Sequence, residues 1–301
     1  MNNSKPFSIS LAQWSLHKSF FGDSLDKGWG YFAKTLREDP DSMYRGPRKP
    51  EDFPAIAQGE FGIDCIELVN TFYYSKADDL AFWESFKQRC DDLGVSIGLI
   101  MCDALGNTGD RDARAQEKTL RRHHRWIDIA KTLGAHSIRV NAAGQGSAEQ
   151  LAVNALTGLK KLTAYGASQN INIIVENHGG HSSNGQWLAQ LIADVDSPYC
   201  GTLPDFGNFC MEDGTQGCLR EYDRYLGIEQ LLPFAKGISA KTYDFDRQGN
   251  ETLIDFERIA KLAQSARFRG AIGIEYEGSR LSEIEGIKAT QALLKSSFNI
   301  A

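Results

Sequence analysis

The sequence predicts an α/β fold, a (β/α)8 TIM barrel with a long loop after its first strand. Three observations predict it. Eight short β-rich runs recur along 301 residues. Most of them are apolar almost throughout, as parallel strands covered on both faces must be. Helix-period segments separate them, and from residue 65 onward the strand starts are roughly thirty to forty residues apart, the spacing of β-then-α units. A doubly wound sheet is the structural alternative, but it prefers a Gly-rich phosphate loop after the first strand. Here that strand runs into SLHKSFFGD, without G-x-G-x-x-G. No domain boundary interrupts the pattern, so residues 1–301 read as one barrel domain.

The strand runs are FSISLAQW (7–14), CIELVN (65–70), VSIGLIM (95–101), SIRVNA (137–142), INIIVEN (171–177), CGTLPDF (200–206), GISAKTY (237–243) and AIGIEYE (271–277). Within 78–93, Phe82, Phe86, Cys90 and Leu93 step along one helical face. Gly94 then stops the helix. Residues 112–133 form a charged helix closing at Leu133-Gly134, with His123 and His124 as ordinary surface or packing residues. Residues 148–168 carry Leu151, Ala155, Leu159 and Leu162. The last helix opens on Ser282-x-x-Glu285, a capping box.

Residues 17–52 lie between the first strand and its helix and are rich in Gly, Pro and aromatics. Unstructured connections of this length are uncommon unless functional. On a barrel this one would cover the C-terminal mouth, so it reads as a lid-like insertion.

Composition narrows the partners. Lys and Arg number 33 against 39 Asp and Glu, a net charge of -6, which argues against a nucleic-acid backbone as the main partner. No apolar run approaches the ~18 residues of a membrane span, and none near the N-terminus suits a signal peptide. The expectation is a cytoplasmic protein with no membrane partner, and a homo-oligomer stays open. The six cysteines (65, 90, 102, 200, 210 and 218) have no C-x-x-C spacing and read as free buried thiols of a reducing compartment.

Catalytic groups of such barrels sit at the C-terminal strand ends. Glu67, Glu176, Asp205, Glu275 and Glu277 end runs that should be buried. A buried carboxylate is costly unless paired, hydrogen-bonded or bound to a metal, and several converging ones repel. One divalent cation resolves both problems. Glu176, Asp205 and Glu275 are the expected ligands, and Glu67 is expected to contact substrate or to anchor a neighbour. Residues two apart on a strand share a face, which pairs Glu176 with His178, Arg139 with Asn141, Ser239 with Lys241, and Glu275 with Glu277. His178 is read as a substrate or metal contact, or a structural hydrogen-bonding residue. Arg139 and Asn141 either grip substrate or brace Glu176. Lys241 either neutralises an enolate or pairs with a ligand acid. Trp14 and His17, at the end of the first strand, are candidate sugar contacts. Oxygen-rich ligation without thiolate suits a hard or borderline ion, manganese or magnesium first, then cobalt or zinc.

The motifs VENHGG, LPDFGN and IGIEYEG, in this order and on these strands, resemble the xylose-isomerase-like barrel superfamily, and within it the sugar phosphate isomerase/epimerase branch that includes the ketose 3-epimerases. The resemblance implies one divalent metal held by Glu, Asp, His and Glu on four strand ends. Three of these fall on Glu176, Asp205 and Glu275. Ser239 stands where the histidine would be, in GISAKTYDFD. His178, His181, Asn208, water or substrate are then candidates to complete the site.

The resulting functional expectation is a metal-dependent sugar isomerase or epimerase acting on a small carbohydrate. It would abstract a proton next to a carbonyl, with Glu176 and Glu275 as the catalytic pair and an enediolate between them. The alternative is a lyase or dehydratase acting on a keto-sugar or glycoside. An apurinic-endonuclease-like phosphodiesterase and a non-catalytic sugar binder rank lower.

Overall fold

The computed structural model describes residues 6–215 and 217–300. Eight parallel strands run in the order β6-β5-β4-β3-β2-β1-β10-β9. They are β1 (Phe7–Ala12), β2 (Cys65–Val69), β3 (Ser96–Met101), β4 (Ser137–Val140), β5 (Asn172–Glu176), β6 (Cys200–Leu203), β9 (Ile238–Thr242) and β10 (Gly270–Tyr276). The two ends of the row meet through bridges Thr202↔Ala235 and Asp205↔Ser239. Three backbone hydrogen bonds accompany them: Lys236 N to Thr202 O (3.1 Å), Ser239 N to Pro204 O (2.9 Å) and Phe206 N to Ser239 O (3.1 Å). The result is the expected barrel. Each strand is followed by a covering helix: α3 (Phe53–Phe61), α4 (Leu80–Asp92), α5 (Ala113–Leu133), α6 (Ala148–Gln169), α7 (Gly185–Val195), α8 (Arg224–Leu231), α9 (Phe256–Ser265) and α10 (Glu283–Ser297). Leu151, Ala155, Leu159 and Leu162 all face the core, and Ser282 and Glu285 form the capping box.

The barrel interior is polar toward the mouth. Ser10 donates to Glu67 Oε1 at 2.6 Å, and the space beside that carboxylate exists because position 273 is glycine: a Cβ there would lie 2.5 Å from Glu67 Oε2.

Residues 17–52 are not an open loop. They fold into α1 (His17–Phe21), α2 (Trp29–Glu38) and short 3-10 turns. Phe20, Phe21, Phe32, Leu36 and Met43 are buried. Phe21 stacks on Phe72 of the loop after β2, ring centres 4.4 Å apart. Aromatic burial on this scale gives an excursion its own small core.

An antiparallel ribbon, β7 (Cys210–Gly214) and β8 (Gly217–Glu221), extends from the loop after β6. It corrects the reading of six free thiols. The ribbon doubles back and joins Cys210 to Cys218 in a disulfide, with Cα atoms 5.6 Å apart, while Cys65, Cys90, Cys102 and Cys200 are free. Both faces of this ribbon are largely solvated, so no apolar alternation marked it in the sequence. Among the described residues no helix is long and apolar enough to cross a membrane.

Candidate active site

Three carboxylates meet at the mouth. Glu176 ends β5, Asp205 follows β6 and Glu275 lies in β10. One oxygen from each lies within 4.8 Å of the others, and all three side chains are buried. Asp205 is fixed by the turn that carries it, because its Oδ1 accepts the backbone N–H groups of Gly207 and Asn208, both at 2.8 Å. Asn177 clamps the same turn. Its amide donates to the carbonyls of Asp205 (3.0 Å) and Asn208 (3.1 Å), and its oxygen accepts the Asp205 N–H at 2.8 Å. Ser239 Oγ lies between two acids, 2.7 Å from Asp205 Oδ2 and 2.9 Å from Glu275 Oε2. A hydroxyl carries one proton, so it donates to one acid at a time.

Two cations frame the acids. Arg139 forks onto Asp103, with Nη1 to Oδ1 at 2.6 Å and Nη2 to Oδ2 at 3.2 Å. Its Nε sits 2.7 Å from Glu176 Oε2. The N–H is not aimed along that contact, and Oε2 accepts no directed hydrogen bond. Lys241 Nζ lies 3.2 Å from both Glu275 Oε1 and Glu277 Oε2, and 3.9 Å from Asp205 Oδ2. It also donates to Asn208 Oδ1 at 3.2 Å, and Asn208 in turn donates to Glu176 Oε1 at 2.9 Å. Gly207 makes the lysine's path possible, since a Cβ there would press 2.8 Å from Lys241 Cδ.

The electrostatics show a shortage of positive charge. Burial, reinforced by Glu275, pushes the Glu176 carboxyl well above the usual range despite Arg139. Burial and the neighbouring acids do the same to Asp205 despite Lys241. Burial raises Glu67 to about 7. Asp103 goes the other way, because burial is outweighed by Arg139, whose charge and hydrogen bonds hold it at about 2. For Glu277 burial is outweighed by Lys241, which keeps its carboxyl low.

The cavity above these groups has a volume of about 430 Å³, and its lining includes Trp14, Trp29, Asp103, Arg139, His178 and Glu277. Trp14 lies in the turn past β1 and donates through Nε1 to Glu277. His17 stacks on Trp14 at 5.1 Å, and its Nδ1 is 2.8 Å from the Trp14 carbonyl. His178 opens into the cavity yet is crowded by protein, and that desolvation, with the charge of Arg139, lowers its pKa. Asn141 donates to Asp103 Oδ1 at 2.9 Å, so with Arg139 it grips an acid of the mouth. Glu67 is held by Ser10 and pressed against Gly273; like Glu176 and Asp205 it is not among the residues lining the cavity, whereas Glu275 is.

Two contributors escaped the sequence reading. Asp103 follows the β3 run as the other acids follow theirs, so the rule that found them applies to it equally. Trp29 reaches the mouth from α2, and no local signal announces that. Asn208, named from the sequence as a candidate to complete the site, reaches Glu176 through a turn whose course depends on Asn177.

The donor set suits a cation. Five carboxyl groups (Asp103, Glu176, Asp205, Glu275 and Glu277) share Arg139 and Lys241 as ion-pair partners. The buried Glu176 Oε2 has no hydrogen-bond donor. This buried triad of hard oxygen donors could hold a metal.

No curated protein matches the chain in sequence. Solved structures match in fold. The chain is similar to a xylose isomerase-like TIM barrel protein from Mycobacterium smegmatis in complex with magnesium, at 19% identity and TM-score 0.64, covering 96% of this chain and 97% of that one. It is similar to L-ribulose 3-epimerase at 15% identity and TM-score 0.65, covering 97% and 94%. It is also similar to the probable 3-DHS dehydratase AsbF from Bacillus anthracis, at 15% identity and TM-score 0.63, covering 96% and 98%. The model of the xylose isomerase-like TIM barrel family matches residues 56–297, and the chain therefore belongs to that family.

Proposed function

We propose that the protein is a divalent-metal-dependent sugar isomerase or epimerase working through an enediolate. The observation that carries this reading is the convergence of Glu176, Asp205 and Glu275, with one oxygen of each within 4.8 Å, beside a cavity of sugar size that Glu275 lines. A divalent cation bound there supplies the charge that polarises a carbonyl oxygen. Glu176 takes the proton from the carbon next to that carbonyl, and Glu275, from the far side of the ring, returns one. A positioned carboxylate is suited to such a proton transfer. Arg139 keeps Glu176 in place, and Lys241 does the same for Glu275 and Glu277. Trp14 offers an aromatic face to the sugar, with His17 behind it, and His178, Asn141 and Asp103 offer hydrogen bonds to hydroxyls. The helical excursion of residues 17–52 acts as the lid and excludes water through Trp29. Magnesium and manganese are the preferred ions, ahead of cobalt and zinc.

The test is a panel of ketoses, aldoses and their phosphates in D2O with added magnesium or manganese, followed by NMR. Deuterium entering next to the carbonyl, with product of unchanged mass apart from the label, supports the reading. Absence of exchange on every sugar, with metal bound, refutes it. The likeness in fold to a dehydratase keeps elimination as the second reading: loss of water or of a glycosidic group in the same spectra would select it.

A further inference from the structure

A second cavity lies away from the barrel mouth, between α2, the loop after β2 and α5. Its volume is about 630 Å³, larger than the mouth cavity. Four of its lining residues are Lys118, Arg121, Arg122 and Arg125 of α5. Spaced i, i+3, i+4 and i+7, they form one stripe along the helix. Like charges at such spacings disfavour a helix by a few tenths of a kcal/mol per pair, roughly. A chain with a net charge of -6 has no general reason to collect cations here. Arg37, near the end of α2, adds a fifth.

Existing partners do not account for this charge. Arg125 pairs with Asp78, Arg121 stands 3.7 Å from Glu117 in solvent, and Arg122 spends one N–H on the Leu105 carbonyl at 3.0 Å. Among the described residues, Lys118 and Arg37 make no ion pair. The floor is apolar: Trp126 and Leu105 are buried beneath the cations and Tyr74 is half-buried beside them. From 118 to 125 the stripe spans roughly 10 Å at the helical rise. That is longer than one carboxylate and comparable to a di- or triphosphate. Guanidinium groups bind phosphate oxygens in pairs, and the half-buried Tyr74 ring at the cleft suits a planar base.

We propose that this cleft is a second ligand site, taking a phosphorylated small molecule of the nucleotide class, whose occupancy is transmitted to the mouth by α2. The transmission is geometric. Trp29, the first residue of α2, lines the mouth cavity, and Arg37, eight residues later and roughly 12 Å along the same helix, lines the basic cleft. A phosphate chain held by Arg37 and the α5 stripe ties the lid helix to the barrel wall. The site stands independently of the chemistry assigned to the mouth.

Calorimetry of the full chain with ATP, AMP and pyrophosphate tests the binding. ATP is expected to bind in a salt-dependent way, with AMP weaker. Substituting both Lys118→Ala and Arg121→Ala, exposed positions, is expected to weaken ATP by about tenfold or more. Asp78→Asn, which frees Arg125, is expected to strengthen it, a gain that misfolding cannot mimic. Hydrogen exchange then tests the transmission: ATP slows exchange across residues 29–38 in the native chain, and Arg37→Ala abolishes that slowing while ATP still binds. Four results overturn the proposal: no ATP binding at low salt, equal binding by the double variant, protection of 29–38 that persists in Arg37→Ala, or a single-stranded oligonucleotide that binds tighter than ATP and displaces it.

Discussion

Arg139 brings its Nε to 2.7 Å from Oε2 of Glu176 with both side chains almost wholly out of water. The guanidinium fork serves Asp103 at the same time. Removing one partner of a buried ion pair strands the others, at a cost of roughly 3–5 kcal/mol. Arg139→Met is therefore expected to lose stability on that scale in urea unfolding. Arg139→Lys, lacking the fork, is expected to recover less than half of it. A loss below about 1 kcal/mol would mean that water screens the pair.

Asp205→Asn is expected to separate stability from metal binding. Burial and two neighbouring acids disfavour the ionised form of Asp205, so the neutral amide should raise the melting temperature of chelator-treated protein at pH 8. The same change removes one hard oxygen ligand. Native protein at metal one hundred times its Kd is expected to gain about 2.7 kcal/mol, and the variant to gain far less. Differential scanning fluorimetry with and without magnesium or manganese reads both effects.

Glu67 predicts a pH dependence of stability. Its carboxyl is raised from 4.5 to about 7 in the folded chain. Between those values the native state binds the extra proton, so the contribution of Glu67 is full below pH 4.5 and is lost as pH rises through about 7. The full shift corresponds to roughly 3 kcal/mol. In chelator, Glu67→Gln should lose less stability than the native chain between pH 5 and pH 8. Parallel curves for the two proteins would show that Glu67 titrates normally.

Gly273→Ala inserts a methyl group 2.5 Å from Glu67 Oε2. Overpacking of this kind costs roughly 1–3 kcal/mol. If the clash with Glu67 is its cause, the cost should shrink when Glu67→Ser is made as well, a coupling of roughly 0.5–3 kcal/mol in a double-mutant cycle. Additive losses would place the strain elsewhere.

The barrel was legible because parallel strands leave long apolar runs, and the acids stood out because they end those runs. Residue alternation put Arg139 on a face but not at a distance, so its 2.7 Å contact with Glu176 was not legible in the sequence. Asn177, next to Glu176 in VENHGG, was passed over because clamping a turn 28 residues away leaves no periodic trace. The excursion after β1 read as a loop because its glycines and prolines break every period. Its stability comes from aromatic contacts such as Phe21 with Phe72, which join distant segments. Cys210 and Cys218 were misread because a solvated ribbon has no apolar face to announce it.

Where β6 meets β9, two isolated bridges take the place of a continuous ladder, and one of them joins Asp205 to Ser239. The weakest seam of the ring thus runs directly beneath the acids. As the protein warms, this seam should breathe before any other, so that the pocket loosens while the rest of the barrel keeps its shape.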